Sequence, residues 1–411
     1  MVDRVLRTAL GFALAAVVGG ACAQAPGTLP ELPLWTSDRL AFAGAFRLPD
    51  GDFGASRAAY AEGPLFVDGA RGTFYLVGHA HHQAIAEFAL PPLSRSDRLE
   101  DLAIAGPPLQ PFATVLDRAV GGNPQALDTI GGLARVDTRD GSQLVVNAWV
   151  YYDADGATTH TTFVMRDADD LAAGRIDGPF TLAGGAGHAS GWLTPVPDVW
   201  RGALGGPWIA GFSSGPPIIS RLTVGPSAFA FDPAALLGSP GGPVPTVTLL
   251  DYDLEHPLHP DLDAVSGAND LWTHLSRAVV GFVVPGTRTY LTFGHTGGNR
   301  TGVCYKCVPV GATEACGGFC PNHADDVDTA YWAFDLLDLL AVREGRLAPH
   351  AVRPYAYGAI ELPFVGPDRV LAGGTFDPVS GLAYLVVRFG DPLQNEWEPL
   401  PVVVAVSLDA E

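Results

Sequence analysis

One recurring unit constrains this chain more than any other feature. A glycine-containing apolar strand is followed by a tight turn, a second apolar strand, a loop and a third strand, and five segments carry the pattern. The first spans 63–68, 73–79 and 84–90. The second spans 132–137, 143–152 and 161–166. The third is looser, with 192–196, 208–212 and 218–222. The fourth takes 278–284, 288–295 and 331–334, and the fifth 371–377, 382–389 and 402–408. Alternating burial patterns, β-branched and aromatic enrichment, and Asp-Gly or Pro-Gly turns make each an antiparallel meander. Segments 245–250 and 359–362 supply outer strands, and 40–47 completes the last unit and closes a ring. The expected fold is all-β, a β-propeller of five blades, with seven shorter blades as the alternative count. Helix is confined to 336–342 and to single turns at 167–173 and 233–237.

Gly 50 and Pro 35 suit many short strands, and 47% hydrophobic with 17% charged residues excludes a disordered chain. The formal charge is −20, and Lys306 is the one lysine. Such a surface repels phosphate backbones, so no nucleic-acid partner is expected. An anionic polysaccharide is repelled on average too, and binding one requires a local arginine site.

Arg4 and Arg7 precede an apolar run over 8–18 that is too short to cross a bilayer, and Ala23-Gln24-Ala25 follows as a small-x-small cleavage site. Residues 1–25 therefore read as a signal peptide, and the product as secreted or periplasmic. Cys22 leaves a lipid anchor as the alternative. Residues 26–411 form a single propeller domain with a Cys-rich loop inserted at about 296–328. That loop holds Cys304, Cys307, Cys316 and Cys320, spaced C-x2-C-x8-C-x3-C. Two disulfides fit an exported protein; structural zinc, with His295 or His323 replacing one thiolate, fits the paired spacing.

Each second strand ends in a polar residue: His79, Tyr151, Ser213, His295 and Arg388. In a propeller these ends converge at one mouth, which makes Ser213, His295 and Arg388 candidates for substrate binding. His79 belongs to the cluster Gly78-His79-Ala80-His81-His82, where His79 and His81 share a strand face at a spacing open to metal, and His82 points away. Tyr151 shares a face with Trp149, Tyr152 faces the other way, and Arg166 ends the third strand of its unit. A histidine, a tyrosine and an arginine together suffice for β-elimination on a uronate: base, acid and carboxylate neutraliser.

Hydrolysis by two carboxylates is the rival chemistry. Asp68, Asp137, Asp232, Asp335 and Asp377 recur near strand ends, beside turns where Asp commonly bonds its own backbone. Asp251 with Asp253, and Asp325, Asp326 and Asp328, are candidate calcium ligands or plain solvated loops. No P-loop, G-x-S-x-G, H-E-x-x-H or dinucleotide fingerprint is present.

Two stretches resemble uncharacterised secreted bacterial propeller proteins: 74–79 with 85–88, and 332–342 with 352–355. That resemblance spans most of the mature chain and implies no activity. More distantly, an early histidine followed by a tyrosine and then an arginine resembles propeller polysaccharide lyases of the ulvan and rhamnosyl-glucuronate type. By that resemblance His79 or His81 is the base or acid, Tyr151 or Tyr152 its partner, and Arg166 the neutraliser. The expected function is an exported polysaccharide lyase acting on uronate-containing glycans, with polysaccharide or oligosaccharide as partner and no required cofactor. A non-catalytic glycan- or protein-binding propeller and a glycoside hydrolase are the alternatives.

Overall fold

The computed structural model describes residues 28–409 except 140, 154, 214–222, 268 and 307–321. Residues 1–25, read above as a leader, and Cys307, Cys316 and Cys320 therefore lie outside the described residues. Within them, five four-stranded antiparallel sheets make a five-bladed β-propeller. The seven-blade count is overturned: four meanders take their fourth strand from the connection to the next blade and the fifth takes it from β1 (Ala41–Arg47).

The chain opens with β1 (Ala41–Arg47) and a short ribbon of β2 (Asp52–Phe53) with β3 (Ser56–Arg57). Blade 1 holds β4 (Leu65–Asp68), β5 (Thr73–Val77), β6 (Ala84–Ala89) and β7 (Gln110–Thr114). Blade 2 holds β8 (Thr129–Thr138), β9 (Gly141–Trp149), β10 (Thr162–Met165) and β11 (Ile176–Phe180). Blade 3 holds β12 (Leu193–Pro195), β13 (Trp208–Ala210), β14 (Ala228–Phe231) and β15 (Thr246–Leu250), with α1 (Asp198–Leu204) between its first two strands. Helix α2 (Pro233–Leu237) follows β14, capped by Asp232 accepting from the Ala234 N–H. Blade 4 holds β16 (Arg277–Val283), β17 (Thr289–Gly297), β20 (Val327–Asp335) and β21 (Ala356–Ala359). Its insertion carries the ribbon of β18 (Cys304–Tyr305) with β19 (Asn322–His323), and α3 (Leu336–Arg343) follows β20, capped by Asp335. Blade 5 holds β22 (Leu371–Asp377), β23 (Leu382–Asp391) and β24 (Leu400–Ser407), and its outermost strand is β1.

Two strand assignments shift. The third strand of blade 3 is β14 and not 218–222, which falls outside the described residues. The outer strand of blade 4 is β21, earlier than 359–362, because Tyr331 and Trp332 pair with Gly358 and Tyr357. Helix α1 has no strong sequence signal; Pro197 precedes it and Gly205, at φ 93°, ends it.

Middle strands are buried on both faces, which explains their unbroken apolar runs. On β24, Val402, Val404 and Val406 pack with Phe282, Leu291 and Phe293 of blade 4, while Val403 and Ala405 face Phe74 and Leu76 of blade 1. Ring closure runs through β1, which pairs with β24 from Ala41 opposite Ser407 to Arg47 opposite Val402. The Arg47 guanidinium clasps Asp391 through two bonds, at 2.7 and 3.1 Å.

The axis is filled by the first strands, and glycine is needed there. A Cβ on Gly63 would stand 2.9 Å from the Gly373 Cα, and one on Gly132 would overlap the Gly191 carbonyl. Below the mouth the axial void shrinks to ≈ 10 Å³, so the propeller is closed along its axis.

Every blade junction carries a side-chain bond from one blade to the first strand, or its lead-in, of the next. The Gln83 carbonyl accepts from the Ile130 N–H, and the Asn147 amide donates to the Ala189 and Gly191 carbonyls. Ser213 Oγ accepts from the Ala278 N–H, and His295 Nδ1 meets the Leu371 carbonyl at 2.9 Å. Arg388 completes the circuit on Glu62, at 3.2 Å. Three of the five polar strand ends singled out in the sequence are thus junction residues.

Candidate functional site: a blind cup at the axial mouth

A cavity of ≈ 370 Å³ opens at the mouth, and all five blades line it. Its wall is aromatic, with Trp149, Trp192 and Phe212; Trp149 meets Phe212 edge-on at 5.4 Å, and the Trp192 N–H donates to the Tyr290 hydroxyl. Its polar lining includes Glu62, His81, Gln83, Tyr151, Ser213, Arg277 and Arg388. This is the union of an apolar wall and a few convergent polar groups that small-ligand sites share.

Arg277 stands out. It opens β16, directly across from His295, and Gly294 lets the strands meet because any Cβ there would collide with the Arg277 carbonyl. Its Nε is buried and bonded to nothing, and no carboxylate approaches to ion-pair distance among the described residues. Burial pushes its acidity towards the neutral form, Glu62 opposes that, and Arg388 reinforces it; a guanidinium remains cationic regardless. Arg388 is held by Glu62, and its own Nε is also buried without a partner. Two guanidiniums against one carboxylate leave the cup locally positive in a molecule of net charge −20.

His295 does not line the cup. Burial first, then the Arg277 charge, pushes it down to about 3, so it is neutral beside Arg277 at ordinary pH. Its place, and the near-repeat of Gly78-His79 in Gly294-His295, reflect packing: a Cβ on Gly78 would meet Ser56 Oγ at 2.6 Å.

His79 is half-buried just outside the lining. The expectation that His79 and His81 share a strand face is corrected, because β5 ends at Val77 and 79–82 turn back, with the His82 N–H donating to the His79 carbonyl. His79 Nδ1 accepts from the His81 N–H at 3.1 Å and its ring stacks on His82 at 4.5 Å. Burial, then His82 and His81, hold His79 below the usual histidine range. His81 is the histidine that reaches the cup.

Tyr151 lines the cup beside Trp149, and burial raises its hydroxyl above the ordinary tyrosine value. Tyr152 is 69% exposed and points away. Arg166 does not join them. It sits beside Gln143, at the far end of β9 from Trp149, bonded to Asp177, Gln143, the Leu237 carbonyl and Ser239. Trp149 lies six residue steps along the strand from Gln143, roughly 20 Å at the usual rise. The sequence pointed to second-strand ends; Arg277 and Glu62 arrive on the first strand of blade 4 and the lead-in to that of blade 1. Aligning first strands would have found them.

Three non-glycine residues near the mouth hold positive φ: Tyr60 (55°), Gln83 (48°) and Phe389 (56°). Phe389 lies in the bulge between Val387 and Asp391 that re-aims Arg388. Strain of this kind gathers where a fold serves a site.

The strand-end aspartates act as turn acceptors: Asp68 for the Arg71 N–H, Asp377 for Val379 and Ser380, Asp137 for Ser142 Oγ. Asp251 bonds His188 at 2.5 Å and Asp253 caps Glu255 and His256. Asp326 binds Thr301, while Asp328 pairs with Arg300 and Asp325 lies near His323. Among the described residues no group of three or more His, Cys, Asp or Glu side chains converges as a metal-ligand set.

Fold and mouth together define a five-bladed β-propeller with a blind polar cup on its axis. No family model matches the chain, and no curated protein matches it. Among solved structures it is similar to a protein described as a putative glycoside hydrolase from Parabacteroides distasonis, at 10% identity over 93% of this chain and 95% of that one, with TM-score 0.34. It is also similar to the WD40 repeats of RRP9, at 10% identity over 92% and 100% of the two chains, with TM-score 0.31.

Proposed function

We propose that the chain is an exported, carbohydrate-active propeller whose cup holds a uronate unit of an acidic glycan and cleaves the chain by β-elimination. The observation that carries this reading is Arg277, a half-buried guanidinium lining a ligand-sized cavity, its Nε buried without a hydrogen-bond partner and no anion paired with it. A charge withdrawn from water without a partner is unfavourable, and a substrate carboxylate would supply that partner.

In the proposed reaction Arg277 pairs with the carboxylate and so acidifies the adjacent C–H. His81 takes that proton, and the C–H electron pair becomes a carbon–carbon double bond as the bond to the glycosidic oxygen breaks. Tyr151 gives the departing oxygen its proton. Its raised hydroxyl keeps that proton over the whole physiological range. Ser213 and Arg388 orient the sugar, His79 positions His81, and neutral His295 sits behind Arg277 without competing for its charge. Among the described residues the lining offers a single carboxylate, Glu62, already held by Arg388, whereas hydrolysis calls on two. This favours elimination.

The apolar run over 8–18 and the small-x-small site at 23–25 support reading residues 1–25 as a leader and the site as periplasmic or secreted, and we assign the four loop cysteines to two disulfides.

Incubation with uronate polysaccharides tests the reading by ultraviolet absorbance of unsaturated uronate. An increase that disappears in His81→Ala and Tyr151→Phe is expected. A flat trace with calorimetric binding retained would move the protein to the class of non-catalytic glycan binders.

A further inference from the structure

Two guanidiniums and one carboxylate line the cup, and the carboxylate is already engaged. Glu62, in the lead-in to β4, takes Arg388, on β23, at 3.2 Å. Arg388 is aimed for that contact: Phe389, at φ 56°, lies in the bulge beside it, and the guanidinium sits over the Phe389 ring, 5.3 Å from its centroid. The two paired side chains are 34% and 39% exposed, so water reaches the pair and the contact contributes little to stability. Arg388 Nε, by contrast, is buried without a partner. A strained bulge thus aims a guanidinium into the cup, and a carboxylate of small value to the fold cancels its charge. That combination points to a role in the site.

We propose that Glu62 is a specificity residue: by occupying Arg388 it restricts the cup to ligands with one anionic group per sugar unit. The inference rests on the reading of Arg277 as the partner of a uronate carboxylate. Two guanidiniums against one carboxylate leave one net positive charge, which a single substrate carboxylate cancels. A second anionic group on the same unit, such as a sulfate ester, meets the only other guanidinium already paired and a like charge beside it. In a half-enclosed site that repulsion is poorly screened. The Glu62 charge favours the Arg277 cation and the Arg388 charge opposes it, so the three side chains share one field. Removing the Glu62 charge uncovers Arg388 as a second anion site.

Calorimetry on the full chain with methyl glucuronoside and with its 2-sulfate tests this. The unaltered protein is expected to prefer the singly charged sugar about tenfold, the usual contribution of one hydrogen bond to a charged group. Glu62→Gln keeps an acceptor for Arg388 and removes the charge. It is expected to abolish that preference with the melting temperature nearly unchanged, while Glu62→Asp, which keeps the charge, retains the preference. Adding Arg388→Met to Glu62→Gln returns the cup to one net positive charge and should restore it. A preference that survives Glu62→Gln undiminished, with methyl glucuronoside still bound, overturns the inference and leaves the uronate cup standing. Suppose instead that the unaltered protein binds neither sugar. Inorganic sulfate bound by Glu62→Gln, and lost on adding Arg388→Met, then overturns the uronate reading alone; no sulfate binding overturns both.

Discussion

At the scale of single residues, Arg277 separates what the protein needs to fold from what its site needs. Replacing a half-buried guanidinium whose Nε has no partner by an apolar side chain of similar length removes a desolvation penalty. Arg277→Met is therefore expected to raise stability by about 1–2 kcal/mol while uronate binding is lost; a denaturant melt beside a titration measures both, and a destabilised variant would show that the charge has a structural partner. His295 gives a pH signature. Its imidazole titrates at about 3 in the fold, against about 6.5 when unfolded. Between those values only the unfolded chain binds the proton, so its contribution to stability is complete above pH 6.5 and drains away as the pH falls towards 3. The acid-side fall in melting temperature should be shallower in His295→Asn; an unchanged slope would count against a buried neutral ring.

At the scale of elements, β1 and the junction bonds hold the ring. Asp391 is fully buried and grips Arg47 through both oxygens. Asp391→Ala strands that guanidinium and should lower stability by about 3–5 kcal/mol, read as an earlier urea midpoint; a loss below about 1 kcal/mol would mean that β1 closes the ring by its ladder alone. The strands themselves were legible. Runs such as 402–406 announce burial on both faces, Asp-Gly and Pro-Gly mark the turns, and the place of 40–47 in the last blade follows from one unit lacking its fourth strand. The histidine face was not legible, because alternation was carried past Val77 into a turn created by contacts from Ser56 and Arg57, distant in sequence. Arg166 was misplaced for a related reason: periodicity gives the face of a strand, but the direction of travel decides which end reaches the mouth.

At the scale of the whole molecule, a cup with two arginines sits in a body of charge −20. On the proposed reading, a polyanionic glycan approaches against that field and then meets a half-buried cation that salt screens less than a surface charge. Association should therefore quicken as salt rises from about 10 to 150 mM, where the Debye length falls from roughly 30 to 8 Å, with dissociation nearly constant. Stopped-flow measurement would show it, and slower association at higher salt would mean that a positive surface does the steering. The sequence announced the acidic body but not the cup, since Glu62, Arg277 and Arg388 come together only when blades 1, 4 and 5 do.

The shared blade also sets how the molecule responds to tension. Ala41 lies opposite Ser407, so the chain enters and leaves blade 5 side by side. A pull on the two ends therefore loads the β1–β24 ladder one bond at a time, as a zipper, and never all together in shear. A first resistance comes from Trp35, fully buried and donating to the Leu408 carbonyl; once it is drawn out, peeling travels along β1 towards Arg47, where the buried clasp to Asp391 is the last thing to give. The propeller should therefore yield in two sharp steps, one for Trp35 and one for the clasp, with low force along β1 between them.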